Sequence, residues 1–240
     1  MLINISISIM NILIVILILV AFLVLLKKQN NSTPVSKKNK FVYTNNGFAN
    51  IKSSYTMPIV YDNLVTPQEA EHIITTAKGS FKESTIIGGF DTSIRKSKTT
   101  WLYLDDPVVK GIIQRICDMT GYPIENTEAL QVVQYEPGGF YKEHHDACCD
   151  DDQRCTEFVQ NGGQRILTAL IYLNDSFTGG ATSFPELKRD IKPPKYGGVI
   201  FRPLENDSNK CHPLALHKGT PVESGIKYVC NIWIREGRYK

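Results

Sequence analysis

The residues best suited to chemistry lie in the stretch Tyr135-Glu-Pro-Gly-Gly-Phe-Tyr141-Lys-Glu-His144-His145-Asp146. His144 and Asp146 are two positions apart, and on an extended strand such residues point to the same face, so both reach one metal ion. The third ligand must come from elsewhere in the chain, and His217 lies near a later strand. Two histidines and one carboxylate leave three coordination positions open, which suits non-haem iron(II) binding an oxoacid and O₂. Structural zinc is instead closed by four ligands. Taken alone, His-x-Asp is a weak sign. His144 reads equally as a surface histidine on a hairpin, and Asp146 as a turn residue in the acidic run with Asp150, Asp151 and Asp152.

The elements around these residues follow from punctuation and period. Met57 to Val65 predicts a strand entering a turn. Thr66-Pro-Gln-Glu69 places an N-cap, a proline at the first helical position and a capping-box glutamate, so a helix runs to about Lys78 and stops at Gly79. Asp106-Pro107 starts a second helix through Met119, ended by Gly121. Short β-type runs follow at Leu130–Tyr135, Ile166–Leu173, Thr182–Phe184, Gly198–Phe201, Ala215–Leu216 and Tyr228–Ile234, most of them separated by Gly- or Pro-rich turns. Two helices followed by many short strands predict an α+β domain built on a sandwich or barrel.

The run Tyr-x-x-Gly-x-x-Tyr-x-x-His-x-Asp resembles the motif of prolyl 4-hydroxylases of the collagen and plant cell-wall type. Further blocks follow in family order: Arg165 to Asp175, Gly179 to Pro185, Pro194 to Phe201, His217, and Pro221 to Tyr228 with Trp233. Together they cover about Met57 to Arg235. The resemblance implies a double-stranded β-helix (jelly-roll) core flanked by N-terminal helices, with iron at one open end held by His144, Asp146 and His217. It implies that Lys227 pairs with the distal carboxylate of 2-oxoglutarate, where a buried cation meets a dicarboxylate. Tyr135 and Thr182 match positions that hydrogen-bond 2-oxoglutarate, and Tyr172 lies near that pocket; composition allows each to be a core residue. Tyr141 and Arg165 match positions near the peptide, although Arg165 also suits a structural ion pair. Trp233 packs the last strand, and Arg235 stands where relatives carry a different polar residue. The implied reaction hydroxylates C4 of a proline-containing peptide with O₂ and 2-oxoglutarate, releasing succinate and CO₂, with ascorbate to restore oxidised iron. A dioxygenase of other substrate range and a non-enzymatic jelly-roll binding module are the rivals. The module would be expected to lose a ligand or the cation.

Outside the blocks, Ile5 to Leu26 is apolar and uncharged, long enough at about 1.5 Å per residue to cross a hydrocarbon core of about 30 Å. Residues 1–28 are read as a single transmembrane helix in preference to a signal peptide, 29–54 as a flexible stalk, and 55–240 as one catalytic domain. The side of the membrane stays open. Lys27 and Lys28 after the anchor favour the cytosol; six cysteines, sequons at Asn30, Asn31, Asn174 and Asn206, and the resemblance favour the endoplasmic reticulum lumen. The net charge is only +3, and the stalk lysines Lys27, Lys28, Lys37, Lys38 and Lys40 exceed it, so the domain carries no basic pattern that suits nucleic acid. Two segments fall outside the pattern. Ala147 to Cys155 is read as a disulfide-braced loop, the alternative being a second metal site on Cys148, Cys149 and Cys155. Ile86 to Thr100, with Arg95, Lys96 and Lys98, is read as a solvated connection or, by resemblance, as a mobile loop closing over peptide.

Overall fold

The computed structural model describes residues 55–86, 89–150 and 152–240. The expected anchor and stalk, with Asn30 and Asn31, lie outside them; among the described residues no helix is long and apolar enough to cross a membrane.

The strands form a seven-stranded sheet and a five-stranded sheet. In spatial order the first contains β1 (Ile59–Tyr61), β11 (Gly198–Phe201), β7 (Arg165–Tyr172), β14 (Lys227–Arg235), β5 (Leu130–Tyr135), β4 (Lys98–Leu102) and β2 (Lys82–Glu83). The second contains β10 (Arg189–Ile191), β9 (Thr182–Phe184), β12 (His217–Gly219), β6 (Phe140–His144) and β3 (Arg95–Lys96). A ribbon of β13 (Val222–Gly225) and β8 (Phe177–Gly179) completes the set. All the strand pairings are antiparallel.

Period-two alternation divides the central strands between two environments. Leu130 and Val132 of β5, Leu167, Ala169 and Ile171 of β7, and Cys230, Ile232 and Ile234 of β14 share one apolar cluster with the helices α1 (Pro67–Ala77) and α2 (Pro107–Thr120). The intervening residues Val133, Tyr135, Tyr172 and Val229 belong to another cluster, with Phe177 and Val222. Phe184 of β9 packs edge-on against Phe201 of β11 at 5.3 Å, joining the two sheets. Strands buried on both faces carry near-continuous apolar runs, which is why they stand out in the sequence.

Both helices begin as their capping residues dictate. Thr66 Oγ1 accepts from the Glu69 amide and Glu69 accepts from the Thr66 amide, closing the box, while Asp106 accepts from the amides of Val108 and Val109. Glu69 also receives Arg115 at 2.6 Å, which ties α1 to α2. Gly121 ends α2 at φ +80°, a backbone region that only glycine enters freely.

Two expectations need correction. Ala215–Leu216 is not a strand: Pro213–Ala215 makes a 3₁₀ turn, because the proline pre-sets a turn-like φ, and the strand starts at His217. Within the expected loop, Arg95–Lys96 and Lys98–Thr100 are strand residues instead, since Arg95 pairs opposite Tyr141 and Lys98–Leu102 align with β5. Ala147–Cys155 is a disulfide-braced loop, as expected, with Cys148 bonded to Cys155, and a short helix α3 (Gln153–Val159), capped by Asp152, begins within it. Cys149 pairs with Cys211 instead, so the cysteine trio of the alternative metal reading is divided between two bridges.

Candidate active site

The antiparallel pairing of β6 with β12 sets His144 directly opposite His217. Opposed residues share a face, and the two imidazoles sit with ring centres 4.3 Å apart. Asp146 lies two residues past the end of β6, not on it, and the bend there turns its carboxylate between the rings. One oxygen is 3.8 Å from His144 Nε2 and the other 3.8 Å from His217 Nε2. These separations are too long for hydrogen bonds and suit donors that converge on one cation.

Each ligand is oriented by a second contact. His144 Nδ1 bonds to the Lys142 carbonyl at 2.7 Å and His217 Nδ1 to the Ala215 carbonyl at 3.0 Å. A carbonyl only accepts, so both Nδ1 atoms carry the proton and both Nε2 lone pairs are free to bind metal. Thr168 Oγ1 donates to Asp146 Oδ2 at 2.6 Å. Burial works to raise the Asp146 carboxyl, but His217, His144, Arg165 and Thr168 outweigh it and hold the group down at about 2. Burial pulls His144 well below the ordinary imidazole range, which keeps it neutral. A neutral, neutral, anionic donor set of two nitrogens and one oxygen fits iron(II). Phe201 meets the His217 ring edge-on at 4.8 Å and limits its rotation.

The triad opens into a cavity of about 230 Å³ lined also by Tyr135, Tyr141, Arg165, Thr182, Lys227 and Trp233. Lys227, opposite Tyr135 on the neighbouring strand, is only 3% exposed. Its ammonium donates to the Gly180 carbonyl at 2.7 Å and to the Tyr172 hydroxyl at 3.3 Å, and lies over the rings of Tyr172 and Tyr135. No carboxylate of the described residues pairs with it. Burial, reinforced by Lys192, pulls it down to about 7. A buried cation without a counter-ion is costly, and an incoming carboxylate removes that cost. Gly180 is required here: at φ +62°, an added Cβ would meet Lys227 Cδ at 3.1 Å and Phe177 at 3.0 Å.

Tyr172 does not line the cavity. It stands behind the wall, bonded to Thr182 Oγ1 at 2.8 Å and to Lys227, and positions both. Tyr141 stacks on His144 with ring centres 3.5 Å apart and lies 4.6 Å from the Arg95 guanidinium. Burial, against the opposing effect of Arg95, pushes its hydroxyl up to about 12, so it remains a phenol at neutral pH. Arg165 combines the two roles weighed for it. It lines the cavity and covers the Trp233 ring at 3.5 Å, while forming a two-pronged pair with Glu128 at 2.6 and 2.7 Å. It also donates to the Asp146 carbonyl at 3.3 Å. Arg235 is turned away from the cavity, bonded to Glu128 and to the carbonyls of Phe158 and Gly163.

Residues that carry part of the site without having been singled out for it are Thr168, Arg95, Glu128, Gln131 and Asn231. The parity of β7 offers a signal for Thr168, which alternates with the core residues Leu167 and Ala169. Arg95 read as surface charge because only its pairing with β6 buries it, beside Ser97 at 2.9 Å.

Comparison with known proteins agrees with this geometry. Residues 130–235 match the 2OG-Fe(II) oxygenase superfamily. A protein of Acanthamoeba polyphaga mimivirus named as a prolyl 4-hydroxylase is 44% identical over 209 residues, covering 87% of this chain and 84% of the relative. Prolyl 4-hydroxylase 5 of Arabidopsis thaliana is 34% identical over 207 residues, covering 76% and 69%. Among solved structures, the viral collagen prolyl hydroxylase of Paramecium Bursaria Chlorella virus-1, in complex with 2-oxoglutarate, superposes with a TM-score of 0.60 at 27% identity, over 77% of this chain and 97% of the other. The sheets described above are thus the jelly-roll of this enzyme class, and the chain belongs to the prolyl 4-hydroxylase family of iron(II)- and 2-oxoglutarate-dependent dioxygenases.

Proposed function

We propose that the protein hydroxylates C4 of a proline within a peptide, consuming O₂ and 2-oxoglutarate and releasing succinate and CO₂. The observation that carries this reading is the buried, carboxylate-free Lys227 in the same cavity as His144, Asp146 and His217. Bound at those three side chains, iron(II) supplies coordination of the oxoacid and activation of O₂.

The chain's own residues do the rest. Lys227 and Thr182 take the distal carboxylate, with Tyr135 beside them and Tyr172 holding both from behind. This fixes the length and direction of the co-substrate. Tyr141, Trp233 and Arg165 present aromatic and cationic surface to the peptide. Arg165 is held by Glu128, so it meets the substrate in one orientation, and preorganised groups lose less entropy on binding. The apolar wall of Leu170 and Val229 keeps water from the reacting carbon.

The names of the relatives support the prolyl substrate, and collagen-like, polyproline and other proline-rich chains all fit the cavity's chemistry. Ascorbate serves as the reductant that restores enzyme oxidised in uncoupled turnover. Residues 55–240 act as the catalytic domain, the apolar run Ile5 to Leu26 as its membrane anchor and 29–54 as the stalk. Two disulfides among the described residues favour a domain in the lumen of the secretory pathway. The test is incubation with a panel of collagen-like, polyproline and proline-free peptides, measuring succinate and locating the added oxygen by mass spectrometry. Oxygen on proline C4 is expected. Succinate release with no proline oxidised in any peptide would overturn the prolyl reading.

A further inference from the structure

The two disulfides differ in access. Cys148 and Cys155 are each 8% exposed, whereas Cys149 is exposed and Cys211 half-buried. A dithiol reductant therefore reaches the Cys149–Cys211 bridge first, because exchange requires the attacking thiolate to contact a sulfur. Beside that bridge stands His145, whose Nδ1 is shut off from water and has no hydrogen-bond partner. A nitrogen of His145 and the sulfurs of Cys149 and Cys211 all lie within 4.8 Å of one another.

We propose that Cys149, Cys211 and His145 form a second metal site, closed while the disulfide is intact and open to zinc(II) once a dithiol has reduced it. Zinc bonds of about 2.3 Å to sulfur and about 2.0 Å to nitrogen set tetrahedral ligands roughly 3.5–4 Å apart, so the three donors need only small side-chain rotations. Opening the site is balanced: the disulfide gains two electrons and two protons from the dithiol, whose own sulfurs join as a disulfide. Zinc then binds the two cysteines as thiolates, releasing both protons to solvent. Two thiolates neutralise the ion, the imidazole fills the third position and water the fourth.

This donor set is chemically distinct from the triad, which contains no sulfur and favours a harder ion. It clamps the segment after Asp146 to the one that precedes His217, the same two segments the disulfide joins. Oxidised and metal-loaded protein would therefore both brace the iron ligands, and reduced metal-free protein would not.

Cobalt(II) is the probe, since thiolate ligation gives a near-ultraviolet charge-transfer band that triad-bound cobalt lacks. The full chain is treated with a dithiol, desalted without oxygen and titrated. We expect the band only after reduction, saturating at one ion per chain. Zinc should displace it, and should slow alkylation of Cys149 and Cys211 about tenfold, as read by mass spectrometry on the unaltered protein. Cys149→Ser and Cys211→Ser should abolish the band, His145→Ala should weaken affinity at least about tenfold, and Cys148→Ser should retain it. No band in reduced protein, no zinc protection of the two cysteines, unchanged affinity in His145→Ala, or loss of the band in Cys148→Ser alone would each overturn the proposal.

Discussion

The two faces of the seven-stranded sheet are made by the same strands and have opposite duties. Toward α1 and α2 the sheet presents Leu130, Val132, Leu167, Ala169, Ile171, Ile232 and Ile234, all essentially without solvent exposure. Toward the cavity the alternate positions carry Gln131, Tyr135, Leu170, Lys227, Val229, Asn231 and Trp233. The first face buries apolar area and little else, at roughly 1.5–3 kcal/mol per large side chain. The second interleaves polar groups with apolar ones and leaves a cation buried without a carboxylate. Stability and chemistry are thus separated by strand parity, and a shift of one residue in register would exchange them.

Substitutions on either face test that separation. The largest effect is expected from His217→Ala, which should lower succinate release by well over about 100-fold, given that even outer partners of a metal ligand contribute about 10–100-fold. The melting temperature should hardly move, because the ring lines the cavity and is no part of the helix-side core. Activity near that of the parent protein would remove His217 from the triad. On the opposite face, Ile232→Ala should cost about 2–5 kcal/mol in denaturant unfolding while leaving kcat/KM of the folded fraction unchanged. A selective loss of activity would break the division between the faces.

Lys227→Met sharpens the contrast further. It should raise the 2-oxoglutarate Michaelis constant by roughly 100-fold and, without ligand, should increase stability by removing an unpaired buried charge. The sign follows from the depressed pKa. The unfolded chain holds this proton up to the ordinary lysine range, whereas the folded chain releases it near about 7. The destabilisation is therefore full below about 7 and fades as pH rises toward the lysine range, so the variant's gain in melting temperature should shrink over that window. Only the protonated form receives the dicarboxylate, so parental 2-oxoglutarate affinity should weaken roughly tenfold per pH unit above 7. Flat pH profiles in both assays would show that Lys227 keeps its proton by another route. The smallest effect is expected from Thr168→Val, which loses the hydrogen bond to Asp146: about tenfold weaker iron affinity, read by metal titration, with little change in the 2-oxoglutarate constant.

Much of this site is legible in the sequence, and unevenly so. The spacing of His144 and Asp146, the Thr66 capping box, the Asp106 N-cap and most of the apolar strand runs are local patterns, and those helices and strands form where local physics places them. Even so, the two-residue spacing of His144 and Asp146 does not act as a strand pattern. They converge not as alternate residues of one strand but because the chain bends after His144. Arg95 is harder still. In sequence it sits in a basic cluster, and only its position opposite Tyr141 turns it inward.

By itself, the sequence determined the starts of both long helices, the two-sided burial of the central strands and the kinds of donor available, because caps, turns and period-two patterns act over a few residues. Only the tertiary structure decided which donors meet. His217 faces His144 through strand pairing, Arg165 is divided between Glu128 and the cavity, and Cys149 chooses Cys211 across 62 residues instead of a nearer cysteine. Each of those choices depends on cross-strand register and loop closure, which are properties of the packed whole and leave no short-range trace in the chain.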